Sequence, residues 1–234
     1  AGIAHELNTP LAVIKGLAER LNADPRNGLS PEQAALMLRV VGRLERLSEG
    51  LLDFARARPP SSKPTDLRSL VEEAITLVRL DRDGRDIRIE NAVPAGTLAQ
   101  CDGDRIVQVL VNVIRNAMDA IAGHESAAGG RAGLIEVAAS VITREGARWV
   151  RLTIGDNGPG LAPEVLARLF EPFVSTRLDA RGTGLGLAVA EGIVREHGGV
   201  MLAHNHSGRR GAEFEILLPA DPPAEPPPGP PSNA

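Results

Sequence analysis

Short stretches of this sequence combine residue types able to do chemistry. In "HELNTP", residues 5–10, a histidine stands against a glutamate. A neutral imidazole nitrogen is a competent nucleophile, and Glu6 can hold or receive the proton of the other ring nitrogen. "NVIRN" puts Asn112 and Asn116 four residues apart, on one face of a helix. "DNGPG" sets Asp156 at a strand end beside Gly158 and Gly160, and "GTGLG" supplies Gly182, Gly184 and Gly186 at a helix start. A buried carboxylate accepts the exocyclic amine of adenine, an amide oxygen coordinates Mg²⁺, and a glycine-lined helix N-terminus offers backbone N–H groups to phosphate. Each stretch alone is common in helices and turns of no chemical role. Together they describe an ATP site.

The elements that position these residues follow from periodicity. Ile3, Leu7, Leu11, Ile14, Leu17 and Leu21 recur at three- and four-residue steps and form one apolar stripe. At about 100° per residue His5 lies roughly 200° from Ile3 and from Leu7, so its ring points off the stripe, as a plain surface histidine would also do. Pro10 lacks an N–H and is expected to bend the helix at the carbonyl of Glu6. No cap residue precedes Ile3, which predicts that the helix begins ahead of residue 1. Ser30 and Pro31 read as N-cap and first residue of a second helix, with a stripe of Met37, Val41, Leu44, Leu47, Leu51 and Phe54. Two such helices cannot enclose their own apolar faces, so a second copy completing a four-helix bundle is expected.

Helix and strand then mix. "TDLRSLVEEAITLVRL" reads as a helix, "DIRIENAV" and "TLAQCD" as strands, and "GDRIVQVLVNVIRNAMDAIAG" as a helix. "LIEVAASVIT" and "WVRLTIGDN" read as strands about a turn at Glu145 and Gly146, followed by the "GTGLG" helix and a closing hairpin. The expected fold is α+β: a helical hairpin forming a dimeric four-helix bundle, then a two-layer α/β sandwich with a largely antiparallel or mixed sheet. The expected divisions are a dimerisation helical hairpin at 1–57, a linker at 58–64, an ATP-binding domain at 65–219 and a disordered proline-rich tail at 220–234.

Composition excludes other classes. A net charge of −4, from 26 basic and 30 acidic residues with no long single-sign block, gives no footprint for nucleic acid or anionic membrane. Phe54, Trp149, Phe170, Phe173 and Phe214 are too few aromatics for a base-stacking platform. One cysteine, Cys101, makes an internal disulfide and a CxxC metal site impossible and fits a reducing compartment. No apolar run is read as approaching the ~18 residues of a membrane span, and no signal peptide is visible. A cytoplasmic location is expected for these residues, with membrane attachment of a parent protein left open. His204 and His206 alternate on a strand and read as a solvated face rather than a metal pair. His197, before Gly198, reads as a helix-end contact.

In this order and spacing, with "LFEPFVSTR" (169–177) between the second and third, the three ATP motifs resemble the histidine-kinase branch of the ATPase family shared with gyrase, Hsp90 and MutL. "HELNTP" resembles that branch's phosphoacceptor box. The resemblance implies a two-component histidine kinase, a homodimer that phosphorylates itself from ATP and passes phosphate to a response-regulator receiver domain. It implies that His5 is phosphorylated, that Glu6 is its base, that Asn116 binds Mg²⁺ and that Asp156 binds adenine. It assigns nucleotide contacts to Asn112, Asn116, Asp156, Gly158, Gly160, Thr176, Arg177, Gly182, Gly184 and Gly186, under a mobile lid at roughly 158–184. Many members carry a lysine three residues after the second asparagine. Asp119 stands there, as in the nitrogen-regulation and oxygen-sensing subgroup, and Arg115 and Arg177 are candidates for the missing cation. Thr9, one turn beyond His5, is expected to orient water in dephosphorylating the regulator, unless its hydroxyl only bonds a helix carbonyl. The rivals are an ATP-hydrolysing clamp and a catalytically silent ATP-binding dimer scaffold. The clamp enzymes carry glutamate at the position of Asn112, and an amide takes no proton from water.

Overall fold

Two long helices open the chain, α1 (Gly2–Ala23) and α2 (Pro31–Ala55), packed against each other. The computed structural model describes residues 2–24, 28–55, 60–80, 87–125, 132–172, 174 and 184–221. α1 runs unbroken through the buried Pro10. Ser30 caps α2 reciprocally: its hydroxyl accepts the Gln33 N–H at 3.3 Å while the Gln33 side-chain oxygen accepts the Ser30 N–H at 3.0 Å. Leu17 and Val40 are buried, yet Leu11 is 50% exposed and Val41 37% exposed, so the hairpin leaves much of its apolar stripes uncovered.

The α/β part begins with β1 (Lys63–Asp66), where the sequence reads as linker and helix start, and continues into α3 (Leu67–Leu80). β2 (Ile87–Asn91), β3 (Leu98–Cys101) and α4 (Gly103–Glu125) follow. Next come β4 (Gly133–Arg144), β5 (Ala147–Asp156), the short α5 (Pro163–Leu166), α6 (Gly186–Glu196), β6 (Val200–Asn205) and β7 (Ala212–Pro219). Among the described residues β1 pairs only with β3, antiparallel, as a short and partly exposed two-stranded sheet. The main sheet runs β2-β4-β5-β7-β6, with β2 and β4 parallel and the other pairs antiparallel. The sheet is therefore mixed, as expected. Glu145 and Gly146 close the β4–β5 hairpin with φ of 54° and 80°, the positive angles that a tight two-residue turn requires.

Alternation buries Ile135, Val137, Leu152, Ile154, Phe214 and Ile216 on one face of this sheet. The helical period of α4 lays Ile106, Leu110, Val113, Ile114, Ala117 and Ile121 into the same core. Contrary to the reading of the sequence, Gly103–Gly123 within α4 is long and apolar enough, by length and composition, to cross a membrane. Its apolar side is instead spent on the sheet and on α3 and α6. The two asparagines of α4, partly exposed, flank that buried stripe.

Candidate functional site

Asp156 is the last residue of β5 and is only 5% exposed. One of its carboxylate oxygens, Oδ1, accepts the Gly158 N–H at 2.8 Å and the Ala212 N–H at 3.3 Å. Among the described residues nothing donates to Oδ2. Burial pushes the carboxyl above the usual carboxylate range. The two N–H groups and the nearby His206 and Arg209 oppose that rise without cancelling it. A buried carboxylate with one oxygen fixed by the backbone and the other open is an acceptor waiting for an amine.

The chain around Asp156 is glycine where a side chain would collide. A Cβ on Gly158 would stand 2.9 Å from Asp156 Oδ1, and one on Gly211, at φ 114°, would stand 1.8 Å from the Asp156 carbonyl oxygen. Asn157, which the sequence reading did not single out, ties the loop to the start of β4: its side chain accepts the Leu134 N–H at 2.9 Å and donates to the Ala132 carbonyl at 3.0 Å. On the far side, Asn205 at the end of β6 holds the backbone of Leu161.

The asparagines of α4 line the same region. A Cβ on Gly186, the first residue of α6, would lie 3.6 Å from the amide carbon of Asn112, so α4 and α6 approach through that glycine. Asn116 lies one turn further along α4. One turn beyond it, Ala120 and Ile121 back the turn at Gly158, whose Cβ would stand 3.5 Å from the Ile121 nitrogen. Gly186 and the Gly158 turn thus both lie against α4, at Asn112 and at Ala120–Ile121. Gly184 takes a left-handed φ of 65°, and among the described residues no side chain caps the start of α6. Gly160 likewise has φ 83°.

His197 aligns the two helices. Only 6% exposed, it donates Nδ1–H to the Ile193 carbonyl at 2.8 Å and accepts the Asp102 N–H on Nε2 at 3.0 Å. The helix-end contact is as expected. The second bond, reaching the start of α4, and the Arg105–Glu196 ion pair beside it were not legible.

His206 departs from the solvated face read for it. Its side chain is 8% exposed and lies over Gly155, where a Cβ would come within 3.1 Å of the ring. Arg209 Nη2 is 3.3 Å from His206 Nε2, and Arg209 Nη1 is 3.1 Å from Glu136 across the sheet. His204 does face solvent, with Nε2 3.2 Å from Glu213. Among the described residues no three His, Cys, Asp or Glu side chains converge on a metal. Mg²⁺ binding needs no such cluster, because this ion keeps water and phosphate oxygens and takes few protein ligands.

His5 and Glu6 belong to the backbone of α1, with side chains outside the described residues. Thr9 is exposed on the same helix. Thr176, Arg177 and Gly182 lie outside the described residues, as does most of the tail. Arg115 and Asp119 are both partly exposed on α4.

Comparison with known proteins matches two family models. The family described as histidine kinase-, DNA gyrase B-, and HSP90-like ATPase matches residues 101–222, and the His Kinase A (phospho-acceptor) domain matches residues 1–60. The sensor histidine kinase ZraS of Klebsiella oxytoca is 37% identical over 223 residues, 94% of this chain and 45% of the relative. The chain thus spans less than half the length of that relative. The structure of full-length ShkA in complex with AMPPNP is similar at 30% identity and a TM-score of 0.63, covering 94% of this chain and 45% of ShkA. The histidine kinase ThkA in complex with the response regulator protein TrrA matches in fold, with a TM-score of 0.71, 24% identity and coverage of 94% and 60%.

Proposed function

This chain belongs to the two-component sensor histidine kinases, and on that premise we propose that it phosphorylates itself on His5 from ATP and passes the phosphate to an aspartate of a response-regulator receiver domain. The observation that carries the ATP half is the open Oδ2 of buried Asp156, beside the helix α4 that carries Asn112 and Asn116 and meets the glycine start of α6. Adenine's exocyclic amine supplies the donor this oxygen lacks. The N–H groups of Gly184 and Gly186 would face phosphate, and Asn116 is the residue that would hold Mg²⁺. Bound there, the ion neutralises phosphate charge.

The acceptor half rests on α1. His5 attacks with a neutral ring nitrogen while Glu6 takes or holds the proton of the other. Phosphate and proton counts balance: the γ-phosphoryl moves to the imidazole, ADP leaves, and the ring proton is lost. Thr9, exposed one turn along, would orient water when the same surface removes phosphate from the regulator. The half-covered stripes of α1 and α2 support a homodimer, with Leu11, Leu21 and Val41 facing the second copy. ShkA with AMPPNP and ThkA with TrrA are relatives caught with an ATP analogue and with a regulator. Asn112 argues against an ATP-hydrolysing clamp, because its amide, against Gly186, cannot take a proton from water. Label transfer from γ-labelled ATP to the parent chain and not to His5→Ala tests this reading, and label retained by the variant overturns it.

A further inference from the structure

Asn205 ends β6 and stands in register with Ala212, whose N–H donates to Asp156. Its side chain is exposed, yet both of its polar atoms are committed to a single residue. Oδ1 accepts the Leu161 N–H at 2.7 Å and Nδ2 donates to the Leu161 carbonyl at 2.8 Å. The partners fix the amide's orientation, because a flipped amide would set donor against donor and acceptor against acceptor. This pairing makes one residue of the loop behave as a strand neighbour of β6. Gly160 is shaped to it. With φ 83°, it brings the chain so close that a Cβ would stand 2.8 Å from Asn205 Oδ1 and 3.5 Å from the Gly211 carbonyl. Leu161 in turn packs its side chain on the core. The turn carrying Gly158, whose N–H orients Asp156, is therefore held at its far end by Asn205 and at its near end by Asn157.

We propose that Asn205 is a positioning residue for the adenine side of the nucleotide site: by pinning Leu161 it keeps the Gly158–Gly160 turn against Asp156 in the binding conformation. This rests on the reading of Asp156 as the adenine contact. An exposed amide adds little to global stability, since water competes for its bonds. Its two backbone bonds matter instead by preorganising a loop that binding otherwise has to order.

The test is calorimetric titration of the chain with AMPPNP and Mg²⁺, for the parent, Asn205→Leu, Asn205→Asp and Asp156→Asn. Asn205→Leu is expected to weaken binding about tenfold, with a urea midpoint near the parent's, a raised KM for ATP in autophosphorylation and a near-parent kcat. Asn205→Asp keeps the acceptor for Leu161 N–H but loses the donor. Its carboxylate then faces the Leu161 carbonyl, which favours the protonated form. The ratio of its dissociation constant to the parent's is expected to fall toward one between about pH 7 and pH 4, as the carboxyl proton restores the donor. Parent-like affinity in Asn205→Leu, or a ratio for Asn205→Asp that stays flat with pH, overturns the proposal. If Asn205→Leu does not fold, the Asn205→Asp ratio decides alone. Weakened binding in Asp156→Asn beside unchanged binding in Asn205→Leu removes Asn205 only, whereas unchanged binding in Asp156→Asn removes the adenine reading itself.

Discussion

Replacing Asp156 with asparagine separates binding from folding. In the parent, Oδ1 takes the Gly158 and Ala212 N–H groups, and the variant must keep its amide oxygen there because an NH₂ would meet two donors. The amide nitrogen is then forced into the position of Oδ2 and meets the adenine amine donor to donor. Loss of one charge-assisted hydrogen bond costs about 1.5–3 kcal/mol, which is about 10- to 150-fold in the dissociation constant. Inosine triphosphate, with an accepting 6-oxo group in place of the amine, is expected to bind the variant better than ATP does. Stability moves the other way. Burial holds the folded carboxyl above its unfolded value, so the native state binds more protons than the unfolded state in the intervening range. The contribution of Asp156 to stability is thus fullest below the unfolded value and is lost as pH rises through the folded one. At pH 7 the variant, carrying no charge to bury, is expected to melt at or above the parent temperature, with the difference shrinking toward pH 4. Calorimetric titration with AMPPNP and with inosine triphosphate, alongside thermal melts across this range, makes the measurement. Equal weakening for both nucleotides together with a lower melting temperature refutes the reasoning, since Asp156 would then be a backbone pin and not a base contact.

Gly211→Ala drives a Cβ to 1.8 Å from the Asp156 carbonyl at a φ of 114°, and urea melts are expected to show a loss of about 2–4 kcal/mol or no folded protein. Leu11→Asp and Val41→Asp charge the uncovered stripes and are expected to turn a dimer into monomers in light scattering, each buried side chain being worth about 1.5–3 kcal/mol. Thr9→Ala is expected to keep autophosphorylation near the parent level while slowing dephosphorylation of a receiver about tenfold, or ~1.4 kcal/mol. Equal losses in both reactions would point to a displaced helix.

What the sequence made legible is what local pattern dictates. Period-two alternation bounded by Glu145 and Gly146 marks the β4–β5 hairpin, and the Ser30–Gln33 spacing marks the start of α2. Asp156 stands out because glycines follow at once, and the structure needs them for the close approach of Gly158. Side chains that act across the fold leave no such trace. Asn205 reaches Leu161 over 44 residues and His197 reaches Asp102 over 95, pairings created only by strand order and helix docking. β1 went unseen because a partly exposed Lys-Pro-Thr-Asp run shows no alternation and becomes a strand only through β3. Alternation misplaced His206, since β6 ends at Asn205 and the next residue folds back over Gly155, where the missing side chain leaves room for the ring. α4 combines a membrane-like composition with two partly exposed asparagines, because the sheet, α3 and α6 bury its apolar side.

The most direct test incubates the chain with γ-labelled ATP and Mg²⁺, divides the product between acid and alkali, and repeats the reaction with His5→Ala. Phosphorylation at His5 predicts label that survives alkali and is lost in acid, and that is absent from the variant although AMPPNP still binds. Acid-stable label, or label on His5→Ala equal to that on the parent, would contradict it.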